Sequence, residues 1–185
     1  MRKLLLMSTL AVGMSFVVVT PASAEERTCR GSLGAITVDN LRVPQGASCT
    51  LNGTRVKWTI KVESAATLSA SNVRVIGNVQ AESAANVRVL SGSRVGGSVQ
   101  VVQGGAARVA DSFVTGDILY DDNARAVSAV RNVVGGNVQA FQNTGGVAIS
   151  GNRIDGNLQC KANQPPPTGS GNIVQGNKED QCARL

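Results

Sequence analysis

Val75-Ile76-Gly77-Asn78-Val79-Gln80-Ala81 is one copy of a phrase that returns along most of the chain. It stands again as Val95-Gly96-Gly97-Ser98-Val99-Gln100-Val101 and as Val114-Thr115-Gly116-Asp117-Ile118-Leu119-Tyr120. Two more copies follow, Val134-Gly135-Gly136-Asn137-Val138-Gln139-Ala140 and Ile154-Asp155-Gly156-Asn157-Leu158-Gln159-Cys160. A decayed copy, Val174-Gln175-Gly176-Asn177, closes the series, and Val56-Lys57-Trp58-Thr59-Ile60 opens it. The leading residues stand at 56, 75, 95, 114, 134, 154 and 174, in steps of 19 or 20. A fixed period in this range marks a stacked solenoid, because one such repeat buries its apolar side only against its neighbours.

Within each repeat the apolar residues alternate with polar ones over short runs, as in Val87-Arg88-Val89 and Val147-Ala148-Ile149. Period-two patterning with β-branched residues, punctuated by glycine, asparagine and serine, specifies short strands joined by corners. The chain is therefore expected to be all-β. It reads as a single right-handed parallel β-helix of six to seven coils, each of 19–20 residues. Stacking one coil on the next predicts three inward columns: Ile60, Val79, Val99, Ile118, Val138, Leu158; Leu68, Val87, Ala107, Val127, Val147; and Ala70, Val89, Val109, Ala129, Ile149. Two polar columns, Asn78, Ser98, Asp117, Asn137, Asn157, Asn177 and Ser93, Ser112, Asn132, Asn152, Asn172, are expected at corners. Asparagine tolerates the left-handed backbone of a sharp corner, and stacked amides can bond along the axis. These residues are read as structural.

Four cysteines fit the same geometry. Cys29 and Cys49 are 20 residues apart, and Cys160 and Cys182 are 22 apart. Residues about one coil apart come close enough for a disulfide, so the expected pairs are Cys29–Cys49 and Cys160–Cys182, one at each end. The competing arrangement, a four-thiolate metal site, needs both ends of the rod to meet. Residues 25–40 are expected to cap the first coil, 41–164 to form the coils and 165–185 to cap the last. Pro165-Pro166-Pro167 and Lys178-Glu179-Asp180 interrupt the apolar pattern there and read as edge blocking.

Arg2 and Lys3 precede an apolar stretch that ends at Ala22-Ser23-Ala24, the pattern of a cleaved secretory leader over residues 1–24. An uncleaved membrane anchor is the other reading of this segment. A mature chain would start at Glu25, carry no transmembrane segment and lie in the periplasm, at the cell surface or outside the cell. Disulfides suit those compartments. Without Arg2 and Lys3 the chain keeps 16 basic against 12 acidic residues. That excess is mild, and with export it points away from nucleic acid. Histidine is absent from all 185 residues, which excludes histidine-based nucleophile systems and histidine-ligated metals. Beyond the leader the only aromatic residues are Trp58, Phe113, Tyr120 and Phe141, too few for a row of sugar-stacking platforms.

The glycine-asparagine phrase from Val56 to Asn177 resembles secreted right-handed parallel β-helix proteins, among them pectate-lyase-like enzymes, and more loosely the bactofilins. It also resembles short exported bacterial proteins, a likeness that implies no activity. The resemblance implies architecture alone, because this fold serves lyases, adhesins, filaments and passive scaffolds. Lyases on this fold pair a calcium-binding carboxylate cluster with an arginine base. That implies a place to look in this chain, the coil spanning 111–131. There Leu119 and Tyr120 break the phrase, and Asp111, Asp117, Asp121, Asp122, Arg125 and Arg131 gather in sequence. One reading is a calcium or catalytic site using Asp117, Asp121 and Asp122; the other is a solvated corner.

The arginines are better ordered. Arg55, Arg74 and Arg94 are separated by 19 and 20 residues and should stack, as should Arg88 and Arg108. Guanidinium groups bind carboxylate, sulfate and phosphate in a fork geometry, so a repeating anion suits such columns. Exposed positions that merely keep the rod soluble are the alternative. The expected function is that of a non-catalytic, exported structural or surface-interaction protein, binding acidic envelope or extracellular polysaccharide through arginine. A small carbohydrate-active enzyme using Asp111–Asp122 is the second reading, and a self-assembling scaffold the third.

Overall fold

The computed structural model describes residues 25–185; the expected leader at 1–24 lies outside the described residues. The described chain is all-β, a parallel solenoid of about eight turns. Its strands form three parallel sheets of nine, seven and eight strands, and each turn contributes to the sheets in the order first, second, third. In the turn that begins at Val79, Val79–Glu82 lies in the first sheet, Asn86–Leu90 in the second and Arg94–Val95 in the third.

Register follows the repeat. In the first sheet Leu41, Ile60, Val79, Val99, Ile118, Val138 and Leu158 are successive partners. The second sheet stacks Leu68, Val87, Ala107, Val127, Val147 and, two residues on, Ala70, Val89, Val109, Ala129, Ile149. Every member of these columns is buried. The third sheet adds Val56, Val75, Val95, Val114, Val134 and Ile154, also buried. Branched aliphatic side chains fill the rod because neighbouring coils lie only about 4.8 Å apart, leaving room for one side-chain layer per coil.

The turn count exceeds the six to seven of the sequence reading, because the end segments pair as well. Glu26–Thr28, Gly31–Leu33 and Thr37–Val38 sit in register on the second coil. That first coil is offset from the second by only 14 residues in the first sheet, Glu26 opposite Asn40, and by 18 in the other two, as in Thr37 opposite Arg55, and it lacks the glycine of the phrase. At the other end Ile173–Val174 and Lys178–Asp180 continue the third and first sheets. Only the second sheet stops short: after the prolines a single bridge joins Ala148 to Thr168, and Pro167 is buried. Charge sits where the apolar column of the first sheet runs out. Arg27 faces Leu41 at one end and Lys178 faces Leu158 at the other. Basic residues at equivalent positions of both ends disfavour head-to-tail stacking.

Both expected disulfides are present, with Cα separations of 5.6 Å for Cys29–Cys49 and 5.2 Å for Cys160–Cys182. The cysteines are not stacked equivalents, however. The register partner of Cys49 is Gly31 and that of Cys160 is Asp180, so each bond reaches two residues along the chain.

The corners correct one expectation. The two polar columns do not carry the left-handed backbone. That conformation falls at Ser83, Gln103, Asp122, Gln142 and Ala162 between the first and second sheets, and at Asn72, Ser91, Asp111 and Arg131 between the second and third. Non-glycine residues accept the cost of this region because the ladders on either side fix the turn. The asparagines bond between coils instead. Asn132, Asn152 and Asn172 are buried, and the side-chain amide of Asn132 donates to the Oδ1 of Asn152 at 3.0 Å and to the carbonyl of Val109 at 2.9 Å. A further buried ladder, Asn123, Asn143, Asn163, escaped the sequence reading; it ends on Gln181, whose Oε1 accepts from the Asn163 amide.

The glycine of the phrase follows from the partly buried ladder. Asn137 Oδ1 accepts the backbone N–H of Asn157 at 2.8 Å, and a Cβ on Gly156 would lie 2.5 Å from that oxygen. Ser98 Oγ likewise accepts from Asp117 N–H and stands 2.4 Å from where a Cβ on Gly116 would be. Glycine precedes asparagine here for close approach, with no positive φ required.

Candidate binding face

The third sheet has the shortest strands, two residues each, so its surface is a narrow ribbon. Arg55, Arg74 and Arg94 are successive register partners on it, all exposed, at the strand spacing of about 4.8 Å. The column runs on through Phe113, Val133, Arg153 and Ile173. The Arg94 guanidinium lies over the Phe113 ring, 4.5 Å from its centre, a cation–π contact that lays the fork flat. Among the described residues no carboxylate pairs with Arg55, Arg74 or Arg94. The ribbon's acids are engaged elsewhere. Asp39 pairs with Lys57 at 2.7 Å, and the bond from Lys57 holds its carboxyl below the usual range. Asp155 lies 3.8 Å from Arg153 and accepts from Gln175.

Arg88 and Arg108 also stack, but on the second sheet, where Arg108 reaches Ser128 at 3.4 Å. The two arginine columns therefore face different sides of the rod, and one extended ligand cannot follow both.

The irregular coil is a packing feature. Tyr120 replaces a small residue in an inward column, between Val101 and Ala140, and is fully buried. Its hydroxyl crosses to the second sheet and donates to the Ser128 carbonyl at 2.8 Å, and burial raises the phenol's pKa. The aspartates scatter around this core residue. Asp117 belongs to the polar ladder, its Oδ1 accepting the Asn137 N–H at 2.6 Å. Asp121 faces outward on the first sheet, and Asp122 sits in the left-handed corner beyond it. Asp111 lies in the opposite corner, where Arg131 donates two bonds to it at 2.7 and 2.8 Å and lowers its pKa. Asp117, Asp121 and Asp122 thus do not converge, and no group of three acidic, cysteine or histidine residues among those described could hold a metal ion. The residues present do not fit the calcium cluster that lyases of this fold use.

Compared with known proteins, the chain matches no family model, no curated protein and no solved structure. Chemistry must be read from the surface itself. An open groove of about 740 Å³ runs along the first sheet between Lys61, Glu63, Gln80, Glu82 and Gln100. Glu63 and Glu82 stand on consecutive coils, and their 19-residue spacing is the sequence signal for it. Glu63 is committed structurally: it accepts from Gln45 N–H at 3.0 Å and lies 3.6 Å from Arg42. Further along the same sheet the glutamine column is self-satisfied, Gln139 donating to Gln159 at 2.8 Å and Gln159 to Glu179 at 2.7 Å. No helix among the described residues is long and apolar enough to cross a membrane.

Proposed function

We propose that this protein is an exported, non-catalytic rod that attaches to an acidic polymer of the cell envelope or its surroundings, an acidic polysaccharide above all. The observation that carries this reading is the exposed register of Arg55, Arg74 and Arg94, each without a carboxylate partner. An extended polyanion laid along the axis meets a guanidinium on three consecutive coils. Fork-like donors and screened Coulomb attraction hold it. The two disulfides suit an oxidising compartment, in keeping with the leader pattern at 1–24. Basic residues at equivalent positions of both ends, Arg27 and Lys178, favour a rod that stays single over a filament.

Binding of the exported protein to polygalacturonate, titrated against salt, tests the proposal. The expected result is an affinity that falls as salt rises and that is lost in the variant Arg55→Gln/Arg74→Gln/Arg94→Gln. Equal affinity of parent and variant at low salt would remove the column from the binding face. No binding to any acidic polysaccharide would leave a passive scaffold as the better reading.

A further inference from the structure

The third-sheet ribbon carries more than charge. Among the described residues five large apolar side chains are exposed: Ile36, Trp58, Ile76, Phe113 and Ile173. Phe113 and Ile173 belong to the arginine column itself. Ile76 directly follows the strand Arg74–Val75, Trp58 lies two residues after Val56, and Ile36 directly precedes Thr37, all at the same sheet. The first and second sheets expose no side chain of this kind among the described residues. Trp58 and Ile76 are each more than half exposed, at 57% and 58%. The exposed isoleucines Ile76 and Ile173 offer no stacking face to a water-soluble polysaccharide, whose repeating charges meet the guanidinium groups.

The apolar residues are interleaved with Arg55, Lys57, Arg74, Arg94 and Arg153, against which stand only Asp39 and Asp155, both already paired. A ribbon that is basic and apolar at once is complementary to a surface with negative charge above and hydrocarbon beneath. A second copy packed parallel on this ribbon would oppose Arg55, Arg74 and Arg94 to their own counterparts. Arginine stems lie along an apolar layer while the guanidinium stays with the headgroups, and tryptophan favours that same boundary. Eight strands at about 4.8 Å make the ribbon roughly 35 Å long, so its ends can rest on one surface together.

We propose that the third-sheet ribbon also seats on an anionic lipid bilayer, Arg55, Arg74 and Arg94 meeting the headgroups while Trp58, Ile76, Phe113 and Ile173 enter the boundary beneath them. This rests on the reading of the arginine column as an anion site and adds a second ligand to it. The bilayer, unlike a soluble polysaccharide, uses both kinds of side chain.

The single tryptophan, Trp58, makes the test direct. The exported protein is mixed with phosphatidylglycerol vesicles, with phosphatidylcholine vesicles and with soluble polygalacturonate, and co-sedimentation and Trp58 emission are followed. The expected result is co-sedimentation with the anionic vesicles only, with a blue shift of Trp58. Polygalacturonate should bind without that shift. Arg55→Gln/Arg74→Gln/Arg94→Gln should weaken vesicle binding on the order of a hundredfold. Ile76→Ser/Ile173→Ser should weaken vesicle binding at least tenfold and leave polygalacturonate binding unchanged; both sites are exposed, so the melting temperature should hold. Vesicle binding with unmoved Trp58 emission, or vesicle binding indifferent to the isoleucine changes, overturns the bilayer proposal and leaves the polyanion reading standing. Failure to bind both vesicles and polygalacturonate overturns both.

Discussion

The outward columns of the first and third sheets share one strand spacing and differ in what they do with it. On the first sheet Gln139, Gln159 and Glu179 bond to one another in series. An amide is donor and acceptor together, so a stack of amides satisfies itself. On the third sheet Arg55, Arg74 and Arg94 stand at the same interval with donors only. Arginine cannot bond to arginine, and like charges at this range repel. Part of one periodic surface is thus bonded within itself, whereas Arg55, Arg74 and Arg94 of the other have no carboxylate partner among the described residues. Periodicity alone does not decide whether a column can bond within itself; the hydrogen-bonding capacity of the repeated residue sets whether it can.

The largest effect concerns the register from which both surfaces are read. Val99→Asp should unfold the protein, since it leaves an unpaired carboxylate in a fully buried column. Its neighbour Gln100→Asp, which points outward, should fold with a melting temperature near the parent's. Equal melting temperatures for the two would mean that the inward and outward columns are exchanged.

Next in size is the buried amide ladder. Asn143→Ala should cost about 3 kcal/mol, because it strips a partner from the Asn123 side-chain amide, from the Asn123 N–H and from the Tyr120 carbonyl. Chemical denaturation measures this. A loss under about 1 kcal/mol would show that water replaces the amide and that the ladder is not sealed.

The comparison itself is sharpened by removing one residue type from each surface. Gln159→Leu, which copies Leu119 of the same column, should lose about 1 kcal/mol with its two amide bonds. Replacing Arg55, Arg74 and Arg94 by glutamine should leave the melting temperature unchanged or raise it, since exposed charges contribute little to folding. If the arginine variant melted lower than Gln159→Leu, the arginines would be holding the rod and the contrast would fail.

The smallest effect is a pH dependence behind Leu119. Burial raises the Tyr120 phenol in the folded chain, so the unfolded chain ionises first as pH rises. Its contribution is therefore complete below about pH 10 and is lost above that. Tyr120→Phe should be about 1 kcal/mol less stable at neutral pH, having lost the bond to Ser128, and should lose less on going to about pH 11. An identical alkaline decline in parent and variant would assign the loss to other groups.

The sequence by itself determined the period, the three apolar columns, the stacking of Arg55, Arg74 and Arg94, and which cysteines pair. All of these follow from one rule: residues one coil apart are neighbours and alternate residues face opposite sides. Tertiary structure decided what that rule does not reach. It set the angle at each corner, and so placed Arg55 and Arg88 on different sides of the rod though both columns have the same period. It gave the left-handed backbone to Gln103, Gln142 and Arg131, whose types do not announce it, because the ladders on both sides impose the turn. It carried the Tyr120 hydroxyl across to the Ser128 carbonyl and decided between the two readings of Asp117, Asp121 and Asp122, which form no metal-holding cluster. It also gathered Trp58, Ile76, Phe113 and Ile173 along one ribbon, although they occupy three different positions of the repeat. Spacing along the chain fixes which residues stack; the turning of the backbone at the corners fixes which stacks share a face.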